Sequence, residues 1–428
     1  MLFSVVELND NRIDPFSSFE TINNRGKDLS TLELFKNRLH FVAHKICDEE
    51  DLENLQQEIN DTYTRIYHDL RRFKDDHLEG FLKHFVEYYY GEKRDFKERL
   101  LDSEFDAHKK YHSSYDEYEK INDLLLYLSY SSKVWYFLHT LDDEELEIEI
   151  TPKMHGLLEK MRRLNALSEN AFLPLLLSLL TIQRAGRSAN EQPYTTKELE
   201  SLLEYLERFG FLIYGVAGKN TAKNEWIELA FRAFRAYRYG EENIVIENLP
   251  TLEKSFFNRQ GNSALELLEE SIFSKKNTEK WYQWGKALNY LLYEYELHHN
   301  PETTLNFDSS IESIEHILPQ KPDQGYSAKE KNWAKNPNIV HALGNLLLIP
   351  KNANSSLSNK PFEEKRKQYL KGPYSEKEVA KNASFGVAQI KERSEKLLDF
   401  LIAHYRIAEL VGESVIKAFK NALLKEIK

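Results

Sequence analysis

Three short pieces of this chain hold side chains suited to chemistry on a phosphate: Ser313-Ile314-Glu315-His316-Ile317-Leu318-Pro319-Gln320, Leu343-Gly344-Asn345-Leu346-Leu347-Leu348, and Asn352-Ala353-Asn354 running on to Lys360-Pro361-Phe362. Glu315 and His316 stand at the end of a short run that reads as a strand, and neighbouring strand side chains point to opposite sides. One is then placed to hold a metal while the other faces a substrate. Hydrolysis of a phosphodiester needs both roles. A hard divalent ion, held by carboxylate and amide oxygens, takes up the developing negative charge, and a neutral imidazole removes a proton from the attacking water. Glu315 and Asn354 suit the first role and His316 the second.

The elements that must position these groups are short strands over 314–318 and 344–349 and a helix from Pro361 to Gly372-Pro373, where glycine and proline stop it. Between Lys321 and Gly372 there are ten basic residues against four acidic ones, a local balance of +6 in a chain of net charge −11. Such a basic island is what a polyanion site on an otherwise acidic protein requires. Each residue also has a plain structural use. Asn345 suits a turn after Gly344, Asn354 suits an N-cap, and Lys365, Arg366 and Lys367 suit the wet face of a helix. Those readings predict no metal.

The rest of the 428 residues must carry this module. Leu2 to Leu8 is rich in strand formers and ends in Asn9-Asp10-Asn11, a strand or hairpin followed by a turn. Ser30 with Glu33 forms a capping box, so a helix begins near Ser30 and runs past Phe41. From there to about Asn300 the apolar period is helical, most clearly over Leu52–Tyr90 and Tyr118–Leu138. A capped helix is expected from Thr195-Thr196 to Phe209, ending at Gly210, and another from Trp281 to His299, stopped by Asn300-Pro301. His298-His299 reads as a favourable charge at that C-terminus. Asp142 to Glu149 reads as a solvated acidic linker. Phe231-Arg232-Ala233-Phe234-Arg235-Ala236-Tyr237-Arg238 places rings on one stripe and arginines on the next, either core with solvated cations or a stacking face for DNA. After Pro301 the texture turns polar and lysine-rich, and a domain boundary is expected there. The one cysteine, Cys47, excludes an internal disulfide framework and a four-cysteine zinc site. The longest apolar run, Ala171–Ile182, is too short to span a bilayer, and a cytoplasmic setting is expected.

In order and separation, E-H-I-L-P-Q, L-G-N-L-L-L-I and N-x4-N-K-P-F-x-E-K-R resemble the ββα-metal, or HNH, endonucleases in the form found at the C-terminus of GmrSD-type modification-dependent restriction enzymes. The resemblance implies Glu315 and Asn354 as metal ligands, His316 as general base, and Asn345 as the residue holding the histidine loop. It further implies Lys360, Lys365 and Arg366 at backbone phosphates and His341 at the scissile phosphate. Magnesium or manganese suits those ligands, with zinc or nickel left open. Phe19 to Asn37, with its Asn-Asn-Arg-Gly loop, resembles the second half of the ParB-like sensor domain of the same enzymes, which implies a phosphate grip by Asn23, Arg25 and Gly26. The upstream Asp-Gly-Gln-Gln-Arg motif of that sensor is absent from this sequence, so nucleotide hydrolysis by the chain alone is not expected.

The expected fold class is predominantly α-helical, with a small α+β HNH-like nuclease module at the C-terminus and a short N-terminal α/β remnant. Expected domains are a truncated sensor over 1–45, a helical middle over 46–300 and a nuclease over 301–428. The expected activity is metal-dependent cleavage of foreign or modified phage DNA. The alternative is a catalytically silent or accessory DNA-binding subunit of a split system. DNA is the expected partner, a separate chain supplying the missing sensor half is a second, and homo-oligomerisation stays open.

Overall fold

The computed structural model describes residues 29–112, 114–188, 193–218, 222–242, 245, 249, 281–305 and 310–428. The Leu2–Leu8 strand and the Asn23, Arg25 and Gly26 loop lie outside them. Among the described residues the chain is predominantly helical with one small two-stranded antiparallel sheet. It divides into two compact units: unit 1 holds residues 1–162, 170–204 and 222–247, and unit 2 holds 163–169, 205–221 and 248–428.

The first helix, α1 (Thr31–Ile46), begins at a complete capping box, with the Glu33 amide donating to Ser30 Oγ and the Glu33 carboxylate accepting from the Ser30 amide. It packs on α2 (Glu49–Leu70), α3 (Asp75–Tyr90) and α4 (Tyr115–Thr140), so residues 31–46 share a core with the helices that follow. The Leu52–Tyr90 periodicity is therefore two helices. Next come α5 (Pro152–Ser168), α6 (Leu173–Ser188), α7 (Thr196–Phe209) and α8 (Lys223–Tyr239). Gly210 does not end the α7 path. The chain continues as a π-helical segment, Gly210–Val216, because Phe211, Leu212, Ile213, Tyr214 and Val216 are all buried and their burial outweighs the glycine signal. In α8, Phe234 packs into a ring cluster with Tyr88, Tyr89 and Tyr127. Its arginines pair inside the unit, Arg232 with Glu228, Arg235 with Glu241 and Arg238 with Asp123. This is the structural reading of that stripe.

Unit 2 contains a short 3₁₀ turn (Tyr282–Trp284), α9 (Lys286–His299), β1 (Glu312–His316), α10 (Ala328–Trp333) and α11 (Pro337–Val340). A 3₁₀ turn (Leu343–Asn345) then leads into β2 (Leu346–Pro350), and α12 (Lys351–Leu357) follows it directly. The chain finishes with α13 (Phe362–Tyr369), α14 (Tyr374–Ala380), α15 (Val387–His404), α16 (Ala408–Val411) and α17 (Glu413–Glu426). β1 and β2 pair in antiparallel register, with Glu315 opposite Leu347 and His316 opposite Leu346. Helix α9 packs on β2, α14, α15 and the π-helical segment. Its buried Leu288, Tyr290, Leu291 and Leu292 supply the apolar face for that contact. Helix α9 and the elements after it all belong to unit 2.

Candidate active site

The strand pleat sends Glu315 and His316 to opposite sides of β1. The His316 ring faces His341, with Nε2 of the first 3.1 Å from Nδ1 of the second, one imidazole N–H donating to the other. Tyr282 packs against both rings, at centroid distances of 4.9 and 5.6 Å. The Gln320 amide nitrogen lies 3.3 Å from both nitrogens of His316. Burial, helped by His341 and Lys365, pushes His316 down to about 3. Its imidazole is accordingly neutral, the form a base needs.

Asn345 sits at the neck of the excursion between the strands. Its Oδ1 accepts from the Leu318 amide at 2.7 Å, and its Nδ2 donates to the carbonyls of Leu318 and Val340 at 2.9 and 2.7 Å. All three groups are buried, so one side chain satisfies backbone atoms on both limbs. The turn beneath it is clamped by α15. Gly344 N donates to Ser394 Oγ, and a Cβ on Gly344 would lie 2.0 Å from the Ile390 carbonyl oxygen, so only glycine fits there.

The other side of β1 differs from expectation. Lys365, expected at a phosphate, is 0 % exposed and donates to Glu315 Oε1 at 2.5 Å and to the His316 carbonyl at 2.9 Å. Tyr369 donates to the same Glu315 oxygen at 3.1 Å. Burial pushes Glu315 up and Lys365 down, while their mutual attraction opposes both shifts and favours the charged pair. The physical reason is a stripe: Phe362, Lys365 and Tyr369 lie on one face of α13, and that face is buried. Lys365 is thus a correction to the expected set of phosphate contacts. A divalent ion at Glu315 would have to share the carboxylate with this ammonium, so the arrangement does not fit a metal as it stands.

Asn354 lies in the body of α12, not at its N-cap, and its Nδ2 donates to Ser313 Oγ and the Ile314 carbonyl, pinning the helix to β1. Lys360 is exposed, and its carbonyl accepts from the Tyr326 hydroxyl. Arg366 Nε donates to the Ala380 carbonyl, tying α13 to the end of α14. The structure therefore brings His316, His341 and Asn345 into one cluster and leaves Glu315 in a second, with Lys365 and Tyr369. Tyr282 was missed by sequence reasoning, and Lys365 was named there for a different role. Nothing local marks Tyr282, but the Phe362–Lys365–Tyr369 spacing was a readable sign that Lys365 turns inward.

Elsewhere in unit 2, ligand atoms of Glu207, Glu294 and His404 lie within 4.8 Å of one another, and Tyr290 and Tyr405 donate to Glu207. No helix among the described residues is long and apolar enough to cross a membrane.

Residues 268–400 match the family model of the C-terminal domain of GmrSD restriction endonucleases. No curated protein matches the chain. The matched span contains β1, the Asn345 turn, β2 and α12 to α14, and thus every C-terminal candidate residue.

Proposed function

We propose that this chain is a DNA endonuclease of the HNH, or ββα-metal, type that hydrolyses phosphodiester bonds with His316 as the base, and that it restricts foreign or modified phage DNA. The family match supports a nuclease related to restriction endonucleases. The observation that carries the residue assignment is the neutral His316 imidazole beside His341, at the end of a strand whose following loop is clasped by Asn345. A phosphodiester anion brought beside His316 would raise its proton affinity toward the range where an imidazole is an effective base. His341 would then donate to the anion. Exposed Lys321, within the excursion, and Lys360, whose carbonyl accepts from Tyr326 of the excursion, would meet backbone phosphates without reading sequence.

Cleavage is proposed to require magnesium or manganese. Glu315 and Asn354 carry hard oxygen donors, but with Lys365 on the Glu315 carboxylate they do not fit the ion as they stand. Because Lys365 holds Glu315, no step is assigned to the ion. That same ion pair favours the second reading, an accessory DNA-binding subunit without activity of its own.

The test is nicking of supercoiled plasmid and of modified phage DNA with either ion, comparing the wild type with His316→Ala. Cutting that falls by about 10²–10⁴-fold in the variant is the expected result, the usual effect of removing a general base. Absence of cutting by folded, metal-supplied wild type would select the accessory reading.

A further inference from the structure

Unit 2 contains an open cleft of about 870 Å³, walled by the end of α9, by α14 and by α15, and lined by none of the residues assigned above to cleavage. Its walls are flat rings. Tyr374 stacks on His299 at 4.5 Å with planes 15° apart, and Phe400 stacks on His404 at 4.7 Å and 24°. Tyr295 stands edge-on to Phe400.

At its depth lies Arg393, 5 % exposed. Its Nη1 donates to the carbonyls of Gly344 and Leu346. Its Nε and Nη2 are buried and without a hydrogen-bond partner, and the Glu378 carboxylate stands 3.9 Å from Nε, beyond hydrogen-bond reach. The cleft thus offers an unused pair of guanidinium donors, with a carboxylate acceptor beside them.

Charge narrows the ligand. The cations Lys381, Arg393 and Lys396 are matched by Glu378, Glu392 and Asp399, so a bare anion gains little from the cleft as a whole. What gains is a flat ring whose edge carries both acceptors and donors. Ring faces take it by stacking, the Arg393 fork takes a ring carbonyl or ring nitrogen, and Glu378 takes an amino group. We infer that this cleft binds a nucleobase, presented either by a free nucleotide or by an unpaired nucleotide of a DNA strand. The same guanidinium holds Leu346, the partner of His316 across the sheet, so the cleft and the cleavage site share one side chain.

The inference is independent of cleavage and is tested on full-length protein carrying His316→Ala, so that absence of binding and absence of cutting are separate results. The protein is titrated calorimetrically with cytidine and guanosine monophosphates, with inorganic phosphate, and with duplexes that are fully paired or contain one unpaired cytosine or guanine. Saturable binding of a monophosphate identifies the free nucleotide. Binding of the unpaired duplex in preference to the paired one, with no monophosphate binding, identifies the strand. In either case Phe400→Ala and Arg393→Lys are each expected to weaken binding by about tenfold or more, the loss of one stacking face or of the bidentate fork. Phe400→Ala leaves Arg393 and its carbonyl contacts in place, which keeps the test valid if the arginine variant fails to fold. Binding unchanged in a folded Phe400→Ala protein, no binding of any base-containing probe, or a preference for inorganic phosphate would each overturn the inference.

Discussion

The two units solve the same packing problem with different materials. In unit 1 the interior is largely rings and aliphatic chains, with Arg38 and Glu87 as buried charges among the described residues, and ion pairs such as Lys93–Glu228 and Arg235–Glu241 sit at the surface. In unit 2, Glu315, Lys365, Glu376 and Arg393 are all buried around a sheet of only two strands. Glu296 is buried there as well, accepting from the Tyr374 and Ser375 amides at the start of α14. Taking charge out of water is costly and is recovered only through well-placed partners. A unit that accepts this cost repeatedly next to a neutral histidine is organised for something other than stability, and the contrast with unit 1 is the physical reason to look for chemistry there.

Removing one partner of the Glu315–Lys365 pair sharpens the contrast most. Lys365→Met is expected to cost about 3–5 kcal/mol in a urea melt, because it strands a buried carboxylate, whereas Lys365→Met with Glu315→Leu should recover most of the loss. A double variant as unstable as the single would break the comparison. Gly344→Ala comes next, at about 1–3 kcal/mol, since its Cβ would collide with the Ile390 carbonyl.

Acidity separates Glu376 from the buried histidines by sign. Burial, with Glu296 and Glu315 nearby, pushes Glu376 up to about 7, so its stabilising contribution is present below the ordinary carboxyl value and lost as the pH rises through 7. Glu376→Gln should stabilise the protein at pH 8 by about 1–3 kcal/mol and flatten the decline seen between pH 4.5 and 7. In unit 1, burial pushes His139 down to about 4, which works oppositely: stability present above the usual imidazole value of 6.5 is lost as the pH falls toward 4. His139→Gln should flatten that acid limb, to which His316 contributes with the same sign. Smallest of all, Arg235→Ala in the exposed pair of unit 1 should shift stability by less than about 1 kcal/mol.

Where local chemistry decides the outcome, the chain was readable in advance. The Ser30–Glu33 cap, the two strands and the position of α13 follow from capping, alternation and glycine-proline punctuation acting over a few residues. Placement that depends on distant partners was not readable in this way. Gly210 looked like a stop until the apolar residues after it found a core. Among the site residues, the opposite facing of Glu315 and His316 follows from strand geometry alone. The union of Glu315 with Lys365 is a tertiary event, half visible in the stripe of α13. Arg393 carried no local sign, because a buried arginine and a solvated one look alike on a helix until the carbonyls it meets are known.

The clasp formed by Asn345 also decouples the candidate site from the length of the chain between its two halves. With the neck closed at Leu318 and Val340, residues 319–339 become a side loop whose length enters only logarithmically, a doubling costing about 0.6 kcal/mol. Related chains can therefore diversify that loop, and with it the surface offered to a substrate, by insertion and deletion while the register of β1 on β2 is inherited unchanged.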